Sequence, residues 1–401
     1  MIQLIIDKRS CCGCGICKEL CPKDAIEMKA DKQGFIYPEI DANKCVSCGK
    51  CVKHCPLQGD LDDYGCEKQV YAVATKNTDI HQSTSGGAFA SMAKTILSNG
   101  GYVVGASLCV SENIVEIKHI IIDDVKDLAK ILGSKYVQSN AVVTFSGIQK
   151  LLLEQKEVLF SGTPCQVSAL KHYLGKDYDN LITVDIICHG VPSAAIFQDY
   201  CRFVEKTCSI KIKTIVFRDK TNGWGLSGSI IGTRKGKNVK LLMRQDMSSY
   251  YNFFLNSEFY RESCYSCKFA SGNRPSEITI GDYWGIENTQ PELLVKNGGK
   301  FDPQKGISCL IVNNEKGESF FLKIKGGMEI AQSTYEMISR NNHQLHTPSV
   351  CSGDRAAILK AYERKGYIGV EKYFIRKQGL KYFARLVKYR KKISSIISDE
   401  K

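Results

Sequence analysis

No run of about 18 apolar residues occurs anywhere in the 401-residue chain, so no membrane-spanning helix is expected. Residues Met1 to Ser10 contain Ile-Ile but no longer apolar stretch and no cleavage pattern, and do not read as a signal peptide. A Walker-type loop, a dinucleotide fingerprint and a Ser–His–Asp arrangement are also missing. The sequence therefore names no nicotinamide site and no triad hydrolase. Low-complexity segments are absent as well, and only one internal repeat is found. Hydrophobic content of 43% and charged content of 24% are ordinary for a soluble globular protein. The length leaves room for two or three domains with a sizeable core.

What is abundant is cysteine, with 19 residues. Cys11, Cys14, Cys17 and Cys21 follow the spacing C-x2-C-x2-C-x3-C, with Pro22 next. Cys45, Cys48, Cys51 and Cys55 repeat it, with Pro56 next. Such a run lets three thiolates close on one iron–sulfur cube while the fourth reaches the cube of the other run. The expected crossing groups Cys11, Cys14, Cys17 and Cys55, and separately Cys45, Cys48, Cys51 and Cys21. Both runs resemble the two-cluster bacterial ferredoxins over roughly the first 60 residues. Structural zinc fits less well, since it prefers separated C-x2-C knuckles. A disulfide framework conflicts with the reducing interior that thiolate-bound clusters need, and a cytoplasmic location is expected.

The expected organisation is an α+β ferredoxin-like module over 1–60, a short acidic connector over 61–69, and an α/β domain over 70–330. Strands are expected at Val70–Lys76, Tyr102–Ser107, Val158–Ser161 and Leu181–Ile187. Helices are expected at Ala88–Leu97, Val142–Gln155, Cys165–Leu174 and Ala194–Lys206. That alternation argues for a largely parallel sheet. Lys211–Arg218, Ser227–Thr233 and Asn238–Met243 read as antiparallel additions. Residues 316–401 read as mainly helical, with a helical, basic C-terminal extension over 331–401.

Four further cysteines fall where ligation is plausible on physical grounds. Cys165 follows Pro164 at the start of a helix, where the free N–H groups and the dipole favour a thiolate. Cys188 directly follows the next strand, and parallel neighbours end on one sheet edge. Cys264 and Cys267 form a C-x2-C knuckle. Together they make four thiolates for a third cluster or for zinc; the plain alternative is two buried apolar cysteines and an incidental knuckle. Cys12, Cys66, Cys109, Cys201, Cys208, Cys309 and Cys351 read as packing or surface thiols.

Several unconnected motifs occur in a fixed order: Ser83-Thr84-Ser85-Gly86-Gly87, Gly133-Ser134-Lys135-Tyr136-Val137, Gly162-Thr163-Pro164-Cys165-Gln166, Cys188-His189-Gly190, Cys264-x2-Cys267 and Ile278 to Gly285. This order resembles the beta subunit of the coenzyme F420 (deazaflavin) hydrogenase/dehydrogenase family over residues 70 to about 330. Glu277 departs from the aspartate expected there. The resemblance implies FAD and a cluster on Cys165, Cys188, Cys264 and Cys267, giving three 4Fe–4S clusters in all. It also implies that Ser83, Thr84, Ser85, Gly86 and Gly87, with Ser134, Lys135 and Tyr136, touch FAD. A flavin suits such a chain because it joins one-electron clusters to two-electron organic chemistry. On its own the Ser83–Gly87 loop is equally a helix cap, and Lys135 equally a solvated lysine.

His189 adjoins a proposed ligand and is read either as a proton donor or as a hydrogen-bond partner of cluster sulfur. Arg218 and Asp219 are expected to bind an anionic substrate or to pair with each other. Asp282 and Trp284 read as a turn residue and a core aromatic unless they serve the site. The expected function is an iron–sulfur flavoprotein oxidoreductase. It takes electrons from ferredoxin or reduced deazaflavin and delivers them to an unidentified small molecule. Relatives in surface-polysaccharide clusters suggest that setting. The alternative is an electron-transfer subunit whose catalytic centre lies on a partner chain. The formal charge is +13, and residues 372–401 hold ten Lys or Arg against Asp399 and Glu400. Lys381, Arg385, Lys388 and Lys392 recur on one helical face, which suits either solvated packing on the core or weak contact with an anionic membrane. No nucleic-acid-reading module accompanies that charge.

Overall fold

The computed structural model describes residues 7–58, 68–76, 81–111 and 114–379. The basic tail face, Lys381, Arg385, Lys388 and Lys392, lies outside the described residues, as does Cys66. Among the described residues no helix is long and apolar enough to cross a membrane.

The N-terminal part is small. Strands β1 (Ile26–Ala30) and β2 (Ile36–Ile40) form an antiparallel ladder. A single helical turn follows the start of each cysteine run, at Ile16–Glu19 and Lys50–Lys53. Its own cluster is small, Cys17 and Ile26 packed against Cys21, Met28, Ile40 and Cys51, while Ile16, Phe35 and Tyr37 are buried as well.

The rest is built on an eight-stranded sheet. In chain order its strands are β3 (Gln69–Thr75), β4 (Tyr102–Ser111), β5 (Ile114–Ile122), β6 (Val158–Gly162) and β7 (Leu181–Ile186), then β11 (Ile278–Asp282), β12 (Ser308–Val312) and β13 (Met328–Ser333). They lie in the order β13-β3-β12-β11-β7-β6-β4-β5. The central pairs β4–β6, β6–β7 and β7–β11 are parallel. The outer pairs are antiparallel, so the sheet is mixed around a parallel centre. The central strands are short and apolar because both faces are covered. Helices Phe145–Leu153 and Pro164–Leu174 pack Phe145, Ile148, Leu152, Val167 and Leu170 against Val104, Val158 and Phe160. On the other face, helices Ala88–Ser98 and Glu315–Ile324 pack Ala93, Ile96, Phe320 and Phe321 against Val73, Val103, Leu159 and Val184.

Strands β8 (Lys211–Val216), β9 (Ser227–Arg234) and β10 (Lys237–Arg244) form a separate antiparallel sheet of three. The region after residue 316 is mainly helical over the described residues, but it also contains β13, which adds to β3 as an edge strand and was not expected. Its burial is irregular along the strand, so no two-residue periodicity announced it. The helices that follow, Arg355–Lys365 and Tyr367–Gln378, are not a detached extension. Ile358, Leu359, Tyr367, Val370 and Phe374 share one core with Phe197, Tyr200, Tyr250 and Phe253.

Glu277 is a structural carboxylate. It accepts hydrogen bonds from Lys171 Nζ at 2.7 Å and from the Thr183 amide and hydroxyl at 2.6 Å each. Burial acts to raise its pKa, but the Lys171 ammonium and Thr183 overcome this and hold it below the usual carboxylate range. A carboxyl with a lowered folded pKa stabilises the fold above its unfolded value and loses that effect as pH falls through the folded one. Glu277→Gln is therefore expected to cost roughly 3–5 kcal/mol at neutral pH. In urea unfolding the gap to the parent protein should narrow as pH drops below about 4.5.

Candidate functional site: three groups of thiols and a buried polar pocket

The two cysteine runs turn on glycine. Gly15 and Gly49 take left-handed φ values of 84° and 73° and open the two short helical turns. Each thus lies between the second and third cysteine of its run. Cys55, from the second run, lies with Cys11 and Cys17 of the first. Cys21, from the first run, shares a cavity with Cys45, Cys48 and Cys51 of the second. Backbone amides point at two of the sulfurs, Gly13 N to Cys11 Sγ at 3.4 Å and Ala25 N to Cys21 Sγ at 3.3 Å. Burial pushes the Cys17 thiol up to about 12. Metal binding is what removes such a proton.

The third group forms at the carboxyl edge of the parallel strands. After β6 the chain enters helix Pro164–Leu174 with Cys165 in the first turn. Gln166 Oε1 accepts from the Thr163 amide at 3.0 Å, and Thr163 Oγ1 lies 3.2 Å from Cys165 Sγ. Cys188 follows β7 and lies within Coulombic reach of Cys165, Cys264 and Cys267. The knuckle is brought there by a buried ion pair, because Arg274 Nη2 donates to Asp185 Oδ1 at 2.7 Å and to the Ile186 carbonyl at 3.0 Å. Arg274 Nη1 also holds the Phe269 carbonyl at 2.8 Å, so the segment after Cys267 is fastened to the end of β7. Burial raises the thiols of Cys188, Cys264 and Cys267, the last two to about 12 and about 11. Among the described residues no three His, Cys, Asp or Glu side chains converge on one point as the ligands of a single ion do. Each thiolate of a cube binds a different iron, so cluster ligands need no such convergence.

Cys12 is buried, as a packing thiol should be, but its place is specific. Its sulfur interacts with Cys14 on one side and Cys165 on the other. The N-terminal module and the sheet edge therefore meet thiol to thiol.

The segments expected at a flavin also meet. Thr84 Oγ1 lies 2.8 Å from Ser134 Oγ and accepts from the Ser134 amide at 2.7 Å. Ser85 Oγ donates to the Ile307 carbonyl and Lys220 Nζ donates to the Ser85 carbonyl. Lys135 is half-buried, donates to the Leu132 carbonyl at 2.7 Å, and forms no ion pair among the described residues. The glycines, however, are filled by the chain itself. A Cβ at Gly86 would meet the Val73 carbonyl and Ser308 amide, and one at Gly87 would meet Thr75. Their absence of side chain serves packing of the loop on β3 and β12.

Arg218 does not pair with Asp219. It grips Asp282 with both nitrogens, at 3.0 and 3.3 Å, and Tyr136 OH lies 3.3 Å away. Asp219 instead binds Lys240 and Ser229 at 2.7 Å each. Trp284 is no simple core aromatic: it stacks on Trp224 at 4.5 Å and lies 5.1 Å from the Arg218 guanidinium. Trp224 Nε1 donates to Asp282 at 2.9 Å. His189 is close to this group; burial pushes its ring below the usual range, with Asp282 opposing. Sequence reasoning missed Trp224, Arg274 and Asp185, since no motif marks them.

The geometry is that of a cysteine-rich N-terminal module whose thiols abut a mixed α/β domain. Residues 10–58 match a 4Fe-4S dicluster domain, and residues 155–336 match the family described as the C terminus of the coenzyme F420 hydrogenase/dehydrogenase beta subunit. Over those residues the chain is similar to that family, and it is an iron–sulfur electron-transfer protein related to oxidoreductase subunits. Among solved structures it is similar to a chain of the F420-reducing NiFe hydrogenase complex from Methanosarcina barkeri, with 14% identity and a TM-score of 0.42. That match covers 78% of this chain and 92% of the other. No curated protein matches the chain.

Burial lowers Lys135 from 10.5 to about 7 and Lys220 from 10.5 to about 8. Between the lowered and ordinary values the unfolded chain binds more protons than the folded one, so stability should rise as pH increases from about 7 to about 10.5. Lys135→Met is expected to flatten that rise, most visibly between pH 7 and 8, where Lys220 contributes little. Thermal unfolding across this range reads the slope.

Proposed function

We propose that the chain is an iron–sulfur flavoprotein oxidoreductase with three 4Fe–4S clusters. The ligands are Cys11, Cys14, Cys17 and Cys55; Cys45, Cys48, Cys51 and Cys21; and Cys165, Cys188, Cys264 and Cys267. The observation that carries this reading is the third group: four thiols from three separate segments, gathered at one sheet edge and reached from the N-terminal module through Cys12. FAD, when bound, exchanges one electron with clusters and two with an organic substrate. Ser83–Gly87 and Ser134–Tyr136 would hold it. The fit rests on Lys135, a half-buried lysine whose Nζ is held by a neutral carbonyl, which suits a phosphate or an anionic flavin. His189 stands between the third group and Asp282, where it can hold a proton near the reacting atoms or donate to cluster sulfur.

Ferredoxin or reduced deazaflavin is the proposed donor and a small molecule the acceptor, with surface-polysaccharide synthesis as the proposed setting. Arg218, Asp282, Trp224 and Trp284 supply a planar, charged wall for that molecule. The electron-transfer-subunit reading draws support from the outer thiol group, where Cys48 and Val46 are exposed and offer a docking face. Turnover with reduced ferredoxin and no partner chain separates the two.

Anaerobically purified protein should contain roughly 12 iron per chain, and Cys264→Ser should lose about four while keeping the N-terminal pair. Tightly bound zinc with about eight iron would reject the third cluster. Lys135→Met should lower flavin retention about tenfold or more, as expected for loss of a charge-assisted hydrogen bond. Unchanged flavin content in the folded variant would put the flavin elsewhere.

A further inference from the structure

Arg261 is fully buried, at 1% exposure. Every directed contact it makes is to a neutral acceptor. Nε donates to Gln138 Oε1 at 3.0 Å, Nη1 to the Cys11 carbonyl at 3.4 Å, and Nη2 to the Ile36 carbonyl at 3.0 Å. The guanidinium lies over Tyr37 at 4.7 Å and beside Phe35 at 5.3 Å. Among the described residues no carboxylate forms an ion pair with it. The nearest acids are engaged elsewhere, Glu262 with Arg355 at 2.7 Å and Asp31 with Lys8. A buried cation with no counter-charge is costly, by several kcal/mol even after relaxation.

The missing counter-charge is visible in what surrounds it. Arg261 lies within Coulombic reach of Cys11, of the N-terminal module, and of Cys165 and Cys264, of the sheet edge. It sits three residues before Cys264, so the knuckle itself delivers it. Gly13 is the residue that lets it in, since a Cβ there would stand 2.4 Å from Nη2. Gln138 completes the clamp: its Nε2 donates to the Cys12 carbonyl at 3.0 Å while its Oε1 receives Arg261. The backbone of Cys11 to Gly13 is thereby held so that the Cys12 thiol meets both Cys14 and Cys165.

We propose that Arg261 is the charge-compensating and positioning residue of the junction between the Cys11, Cys14, Cys17, Cys55 group and the Cys165, Cys188, Cys264, Cys267 group. It supplies one positive charge shared by two anionic centres and locks the N-terminal module against the sheet edge at the point where an electron crosses. The crossing is a one-electron exchange in which the first centre is oxidised and the second reduced, with no proton or bond change. The cation favours the reduced, more negative form of whichever centre holds the electron. This inference rests on the three-cluster reading above.

The test compares Arg261→Met and Arg261→Lys with the parent protein, measuring iron per chain and the cluster reduction midpoints by anaerobic redox titration followed by EPR. Parent protein with about eight iron defeats the three-cluster reading itself, before Arg261 is considered. With about 12 iron in the parent, Arg261→Met should keep its iron and shift the reduction equilibrium of at least one cluster about tenfold toward the oxidised form, ~59 mV for one electron. Arg261→Lys, which keeps the charge but not the three directed bonds, should return most of that shift. Unmoved midpoints in an iron-replete Arg261→Met protein overturn the proposal. If Arg261→Met does not fold, Arg261→Lys decides: full iron with near-parental midpoints supports charge compensation. Failure of the lysine variant as well overturns it, since shape and not charge would then be what the site requires.

Discussion

Parallel strands that end on the same edge of a sheet place their following residues together, and this constraint organises the whole site. β6, β7 and β11 run side by side in that sense, with Val158–Gly162 against Leu181–Asp185 and Ile278–Ile280 against Val184–Ile186. Cys165, Cys188 and Asp282 follow from it, although they are far apart in the chain. The knuckle at Cys264 and Cys267 belongs to no strand of that edge. It is fastened there by Arg274 on Asp185, an ion pair with side chains 1% and 0% exposed. Burial of both partners makes the pair expensive to break, so the loop's position is as well determined as that of the strands.

Charge is distributed with the same economy. Arg261, buried, and Lys135, half-buried, donate to neutral acceptors. By contrast, buried Arg218 is paired with Asp282 and buried Arg274 with Asp185. Arg261 lies at the thiol junction and Lys135 beside the Thr84–Ser134 contact. These are the places where a cluster and a flavin phosphate or ring would bring negative charge.

Glycine illustrates how a motif can be read correctly in position and differently in cause. Gly86 and Gly87 stand where a ligand is expected to approach, and instead admit Val73, Thr75 and Ser308 of the protein's own sheet. Gly13 draws no attention in the sequence, yet it makes room for a guanidinium contributed some 250 residues later. Close approach is a property of pairs of segments, and one segment alone does not display it.

Apart from the antiparallel edge strand β5, which was not expected, the strand–helix alternation from residue 70 to 208 was legible because short apolar runs and 3.6-residue periods are local properties. The edge strand β13 was not, because an edge strand is defined by the neighbour it pairs with. By itself the sequence determined the spacing of the two cysteine runs, the capped helix start before Cys165 and the knuckle, since each depends on residues within a few positions of one another. Tertiary structure alone decided that Arg218 takes Asp282 and not its neighbour Asp219, that Trp224 stacks on Trp284, and that Cys12 stands between Cys14 and Cys165. Those outcomes depend on which strand ends and loops share an edge, and short-range spacing carries no record of that.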